Sequence, residues 1–167
     1  MSRLLDPTKT FFIGDLHFGD EDIIFFEGRP FTDVDGMNEY IITRWNDKIS
    51  DNDTVFILGD IGEISYLEKM KGFKCIIRGN HDIFLATELD KYSGIMNVYN
   101  FPIIINNYFI LSHEPMYVNK CMPYMNIFSH VHGSPIYSDY SRWHYCVSAE
   151  RIDYTPISLK EIITITL

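Results

Sequence analysis

The sequence predicts an α/β domain whose first half is a β-α-β arrangement around a largely parallel sheet and whose second half is more antiparallel. Three observations carry this reading. Short apolar segments alternate with helical patterns up to about residue 91, the signature of parallel strands joined by crossover helices. Beyond residue 100 the strands come closer together, and one pair is separated only by Asn106-Asn107. Most of the predicted strands finish in a small cluster of Asp, Asn or His.

Taken in order, residues 9–14 (KTFFIG) read as a buried strand and residues 15–19 as a loop. Asp35 is placed to cap a helix over 36–50, where Ile41, Ile42, Trp45 and Ile49 recur on one face. Thr54–Leu58 (TVFIL) is the second strand, followed by a short helix with Tyr66, Leu67 and Met70 facing inward. Residues 74–78 (KCIIR) form the third strand, and residues 83–91 another helix. Ile103–Ile105 and residues 108–111 read as a hairpin, because Asn106 and Asn107 tolerate the positive φ that a tight turn needs. Residues 126–129 and 145–148 are two more short strands, and Ser158-Leu159-Lys160-Glu161 is a capping box that opens a final helix.

Composition bounds the function. A chain of 167 residues, without repeat or linker, is expected to form a single domain over residues 1–167. At that length it buries roughly two thirds of its unfolded surface and needs no disulfides. The 14 basic against 23 acidic side chains leave a net charge of −9, which disfavours a nucleic-acid backbone or an anionic membrane as partner. Thirteen carboxylates lie between Asp15 and Glu63 against three cations, and most belong to a solvated surface. Two divalent ions would take −9 to −5. Cys75, Cys121 and Cys146 are odd in number and widely spaced, which argues against a disulfide framework and a thiolate zinc site. The N-terminal residues lack a signal peptide's apolar stretch, and no apolar run exceeds four residues. A reducing cytoplasm is the expected location.

The chemistry sits at the strand ends. The first strand ends in Asp15-Leu16-His17, the second in Gly59-Asp60, the third in Gly79-Asn80-His81-Asp82. The hairpin ends in Ser112-His113, and the next strand in Ser129-His130-Val131-His132-Gly133. Five of the six histidines lie in these clusters. Singly each has an ordinary explanation: a surface pair, a turn, two imidazoles brought to one face by strand spacing. Ligand sites in open α/β sheets form where strands finish, so the five clusters are expected to converge. Carboxylate, imidazole and amide donors without thiolate suit Mn²⁺, Fe or Zn²⁺. Seven candidate ligands are too many for one ion and suit two that share a bridge. Such a pair, ~3.5–4 Å apart, can clamp a phosphoryl group.

The series Asp15-x-His17, Gly59-Asp60, Gly79-Asn80-His81-Asp82, His113 and His130-x-His132 resembles the calcineurin-like metallophosphoesterase superfamily. Arg29-Pro30-Phe31, Met37-Asn38-Glu39, Arg44-Trp45-Asn46 and the stretch 153–159 (DYTPISL) are similar to a branch of small bacterial and phage phosphoesterases. The resemblance covers nearly the whole chain. It implies a two-sheet α-β-β-α sandwich with a binuclear metal centre at the C-terminal ends of the strands. One metal would be held by Asp15, His17, Asp60 and His132; the other by Asp60 as bridge, with Asn80, His113 and His130. His81 would face the substrate and donate a proton to the leaving group, which an imidazole suits. The implied reaction is hydrolysis of phosphodiesters, phosphomonoesters or both, by in-line attack of a metal-bridging hydroxide.

Two positions depart from the family pattern. Ser129 stands where Gly usually precedes the His-x-His pair, and modest backbone strain is expected there. Cys146-Val147-Ser148-Ala149-Glu150 replaces Asn-Val-Gly-Val-Asp, which bears on any polar role of the missing Asn but touches no implied ligand.

Arg29 and Arg78 are candidates to hold a substrate phosphate, with a surface salt bridge as the alternative for each. Asp82 or Glu63 is placed to orient His81, with helix capping as the alternative for Asp82. His144 reads as structural, and Phe11, Phe12, Phe25, Phe26 and Trp45 as core. No insertion is long enough for a cap domain, so an open site and a small phosphoester substrate are expected. A nuclease using the same centre would need a cationic groove, against the −9 balance. A non-catalytic scaffold of the same fold would have lost ligands, yet all seven and His81 are present.

Overall fold

Strand β1 (Thr10–Ile13) is buried along its whole length, and its side chains alternate between two cores. Phe11 and Ile13 join one apolar cluster and Phe12 the other, as the period-two geometry of a strand requires. The structure, a computed structural model, describes residues 4–84, 86–137 and 141–166.

The first sheet has the order β4-β3-β2-β1-β9. Its strands β2 (Thr54–Leu58), β3 (Phe73–Ile77) and β4 (Ile95–Tyr99) continue parallel from β1, and the two-residue β9 (Ile157–Ser158) closes the edge antiparallel. The second sheet has the order β5-β6-β7-β8: β5 (Ile103–Ile105), β6 (Phe109–Leu111), β7 (Met125–Phe128) and β8 (His144–Cys146). Only β5 and β6 pair antiparallel; β6, β7 and β8 are parallel. This corrects the expectation of a more antiparallel second half. The connections 112–124 and 129–143 are each long enough for the crossover that parallel strands need.

The two clusters define the layers. Phe12, Phe56, Leu58 and Ile77 from the first sheet meet Leu111, Met125 and Ile127 from the second. On the other face, Ile13, Ile57 and Ile76 pack against Met37, Ile41 and Trp45 of helix α2 (Val34–Lys48). The short helix α1 (Asp22–Phe26) adds Ile23 to that layer. The result is a mixed α/β fold of two facing sheets, as expected. No helix among the described residues is long and apolar enough to cross a membrane.

Several elements differ from expectation. The cap of α2 is Asp33, whose carboxylate accepts from the Gly36 N–H at 2.7 Å, so the helix starts two residues early and Asp35 falls in its first turn. Residues 83–91 form no α-helix among the described residues, only a single 3₁₀ turn at Ala86–Glu88. The Phe84 carbonyl there accepts from Arg78 Nη2 instead of a helical N–H, and Asp82, the natural cap, is used elsewhere. Phe25 and Phe26 are 85% and 74% exposed rather than core. The turn and the final helix follow expectation. Asn106 and Asn107 have φ of 50° and 56°, and Ser158 and Glu161 exchange reciprocal hydrogen bonds at the start of α3 (Leu159–Thr166).

Candidate metal centre

The strand-end loops are stitched together by their own backbones. Asp15 N donates to Gly59 O at 3.0 Å and His17 N to Asp60 O at 2.9 Å, which locks the first loop onto the second. Asp82 ties the second to the third: one oxygen accepts from Gly79 N at 2.8 Å and Asp60 N at 2.9 Å, the other from Ile61 N at 2.9 Å. Asp15 Oδ1 accepts from His130 N at 3.0 Å and so joins the two sheets. Gly59, at φ +88°, is required here, because a Cβ would run into the His113 ring and the Gly79 backbone.

Five of the expected ligands carry a left-handed backbone: Asp15 (φ 56°), His17 (52°), Asp60 (53°), His130 (72°) and His132 (49°). Each such residue costs of order 1–3 kcal/mol, and clustering of that kind marks a site where geometry has been favoured over stability.

The donor atoms gather in two groups. Asp60 Oδ2 lies 3.3 Å from His113 Nε2, which is 2.8 Å from Asn80 Oδ1 and 3.0 Å from His130 Nδ1. On the other side, Asp60 Oδ2 is 3.7 Å from His17 Nε2, and the His17 and His132 rings are 5.2 Å apart. Ligand atoms of Asp15, His132 and Glu150 lie within 4.8 Å of one another.

Hydrogen bonds behind the rings fix which nitrogen faces inward. Nδ1 of His17, His113 and His132 lies against Asp20 Oδ2 (3.3 Å), Leu58 O (2.8 Å) and Glu150 Oε1 (2.9 Å). Each Nδ1–H is thereby directed to an oxygen, and Nε2 is left with a lone pair. His17 Nε2 and Asp15 Oδ2 are buried without a hydrogen-bond partner. With Nδ1 donating to Leu58 O, a neutral His113 would turn its Nε2 lone pair toward the Asn80 oxygen, an arrangement that needs a cation or a proton between them. Imidazole, carboxylate and amide donors, several of them orphaned, fit divalent cations.

The local fields are strong. Burial pushes Asp15 up to about 6 and His17 down to about 4. Burial would also raise Asp60, but the hydrogen bond and charge of His113, with the His81 N–H, hold it at about 2. Burial opposes protonation of His113 and His132, yet the hydrogen bonds their rings donate to the Asp60 and Glu150 carboxylates raise both. His130 is lowered by burial and by His113.

All seven expected ligand residues therefore meet at one edge of the sandwich. His81 stands beside them: its N–H donates to Asp60 Oδ1 at 2.9 Å, its side chain is exposed, and its ring centre is 5.5 Å from that of His17. Asp82 does not orient it, since its carboxylate is spent on backbone N–H groups; Glu63 faces Ser65 and Gly19. The expectation that Arg29 holds a substrate phosphate is corrected. Its side chain is fully buried and donates to Asp15 O (2.6 Å), Leu16 O (3.0 Å) and Glu150 Oε1 (2.8 Å). Arg78 is half-buried, with its guanidinium 4.9 Å from the Phe84 ring centre and Nη2 donating to the Phe84 carbonyl. His144 is structural, contacting Ser141 Oγ and Met116 O.

Ser129 keeps its hydroxyl on Leu58 O and 3.1 Å from His113 Nδ1, and the left-handed residue is His130 rather than Ser129. Glu150, which joins the Asp15 and His132 donor atoms, is the candidate site residue that sequence reasoning missed. Its signal was the carboxylate retained at the last position of the altered Asn-Val-Gly-Val-Asp segment.

Comparison with known proteins agrees with this geometry. The chain is 30% identical over 170 residues to the uncharacterized protein MJ1445 of Methanocaldococcus jannaschii, covering 93% of this chain and 89% of the relative. A crystal structure of AQ665, a protein of unknown function from Aquifex aeolicus, superposes with a TM-score of 0.73 at 26% identity, covering 93% of this chain and 98% of that one. A sequence model of the calcineurin-like phosphoesterases matches residues 8–160, and with the two-sheet fold and the converging His/Asp clusters at its edge, the chain belongs to the calcineurin-like phosphoesterase family.

Proposed function

We propose that the protein hydrolyses small phosphoesters with the help of two divalent cations. Asp15, His17, Asp60 and His132 would hold one, and Asp60, Asn80, His113 and His130 the other. The observation that carries this reading is the position of Asp60 Oδ2, 3.7 Å from His17 Nε2 on one side and 3.3 Å from His113 Nε2 on the other. A single carboxylate oxygen between two imidazole donors is what a shared ligand requires. Bound there, such ions supply positive charge to a phosphoryl group and lower the pKa of water.

The chain's own residues do the rest. Asp82 fixes the peptide of Asp60, so the bridging carboxylate keeps one orientation. His81, tethered by its N–H to Asp60 but outside the donor groups, would give a proton to the leaving oxygen. Arg78 remains a candidate to steady the phosphate. The net charge of −9 favours a small substrate over a polyanion.

The test is elemental analysis of Mn²⁺-loaded protein beside a hydrolysis panel of phosphomonoesters, phosphodiesters, cyclic nucleotides and single-stranded nucleic acid. Two ions per chain are expected, with hydrolysis that needs them. Asp60→Ala should lose most of both ions, whereas His132→Ala should mainly lose one. Saturation at one ion with intact ligands, or equal metal content in both variants, would overturn the shared-carboxylate reading.

A further inference from the structure

A cleft of about 350 Å³ opens beside the donor cluster, and Asn80 and His113 line it. The cleft is therefore open to the remaining atoms of a group held at the second donor cluster. The other walls come from three elements: Arg78 after β3, Phe101 and Pro102 between β4 and β5, and Met116 beyond His113. The walls are fixed by backbone contacts, with Arg78 N donating to Tyr99 O at 3.0 Å and Met116 N to Asn126 Oδ1 at 2.7 Å.

The chemistry of the walls is uneven. Phe101 is 78% exposed and Met116 40%, so two large apolar side chains stand in solvent within a few residues of a polar cluster. Single exposed apolar residues are ordinary. Two on one cleft, next to candidate ligands, describe a surface that a bound group would cover. A phenyl face and a soft thioether favour a planar ring. Glu114 also lines the cleft, so its carboxylate and the Arg78 guanidinium leave the walls without net charge to favour a charged organic group. The volume is at the small end of ligand sites, which span ~300–1,000 Å³, and suits one ring system rather than a polymer.

We propose that this cleft receives the organic group of the substrate and selects phosphoesters that carry a neutral planar ring, with Phe101 and Met116 as the specificity-determining residues. The proposal rests on the phosphoesterase reading above. An aryl group and a nucleoside base share this chemistry, and the experiment separates them.

Binding of methylphosphonate, phenylphosphonate and the phosphonate analogue of adenosine monophosphate is measured by calorimetry with Mn²⁺ present. The proteins are the wild type, Phe101→Ala, Met116→Ala and, as a control on α3, Ile165→Ala. At least one ring-bearing ligand should bind roughly tenfold more tightly than methylphosphonate to the wild type, the size expected for covering one aromatic group. Phe101→Ala or Met116→Ala should reduce that ratio to about two or three, and Ile165→Ala should leave it unchanged. The better of the two ring ligands identifies the source. A wild-type ratio near one overturns the proposal, as does a ratio that survives both cleft substitutions. Dimerisation that depends on Phe101, with a ratio of one, would assign the surface to a second copy instead. Hydrolysis without ring preference would sink only this inference. Ring preference without metal-dependent hydrolysis of any ester would sink the phosphoesterase reading and leave the cleft.

Discussion

Glu150 Oε1 lies 2.9 Å from His132 Nδ1 and 2.8 Å from Arg29 Nε, so one buried carboxylate holds a candidate metal ligand and a buried guanidinium together. Arg29 in turn donates to the carbonyls of Asp15 and Leu16. The Asp15 loop and the His132 loop, from different sheets, thus share one polar tie. Burial would raise the pKa of Glu150, but His132 and Arg29 together hold it below the usual carboxylate range.

Partners behind a metal-binding imidazole typically change metal affinity 10–100-fold. Glu150→Leu should weaken binding at the Asp15–His132 side by roughly that factor, while Glu150→Gln, which still offers an oxygen to Nδ1–H, should lose less. Metal titration of the stripped protein measures both. Equal affinity in Glu150→Leu and the wild type would show that His132 does not need this support.

Ser129 and Gly14 make a second testable pair. A Cβ on Gly14 would overlap the Ser129 side chain, which is itself held by its hydroxyl on Leu58 O. Gly14→Ala should therefore destabilise by about 1–3 kcal/mol, the usual cost of overpacking a closed site. Ser129→Gly in the same chain should return much of that loss. A denaturation double-mutant cycle reads the coupling, and strictly additive effects would contradict the contact.

Much of the site was legible because its residues are short motifs at the ends of strongly apolar strands. Asp15, Asp60 and His130 needed only correct strand ends to be placed in one region. Glu150 was harder: it lies within a short 3₁₀ segment, Ala149–Ile152, and meets Arg29 across 121 positions, a pairing that no local pattern encodes. Arg29 read as a phosphate holder or a surface salt bridge, yet its guanidinium is buried and paired with Glu150. The same limit hid the parallel pairing of β6, β7 and β8, since a single apolar strand does not state its direction. The expected helix over 83–91 is missing among the described residues for a local reason, because the Phe84 carbonyl accepts from Arg78.

Lys74 gives a pH-dependent prediction away from the site. Its side chain is buried on β3, its Nζ donates to Met70 O, and burial lowers its pKa from 10.5 to about 8 against the pull of Asp51. The unfolded chain therefore binds more protons than the folded one between those two values, and stability from this group rises with pH across that window. Below about 8 the folded state carries the full cost of a buried ammonium. Lys74→Met removes the titration. The stability difference, wild type minus variant, should move in favour of the wild type from pH 8 to 10.5. Urea denaturation at several pH values checks it, and a constant difference would mean the amine is solvated.

His81 separates proton transfer from metal binding. Its N–H contact to Asp60 belongs to the backbone, so His81→Asn keeps that bond while it removes the imidazole. Metal content should survive. Turnover of an alkyl phosphoester should fall by ~10²–10⁴-fold, the range for a lost general acid. A nitrophenyl ester, whose leaving oxygen is stable without a proton, should be much less impaired. The contrast matters because the exposed ring, 5.5 Å from that of His17, is also close enough to position a phosphate. Positioning would slow both substrates alike, and a ligand role would deplete metal. Only a proton donor discriminates by leaving group while leaving the ions in place.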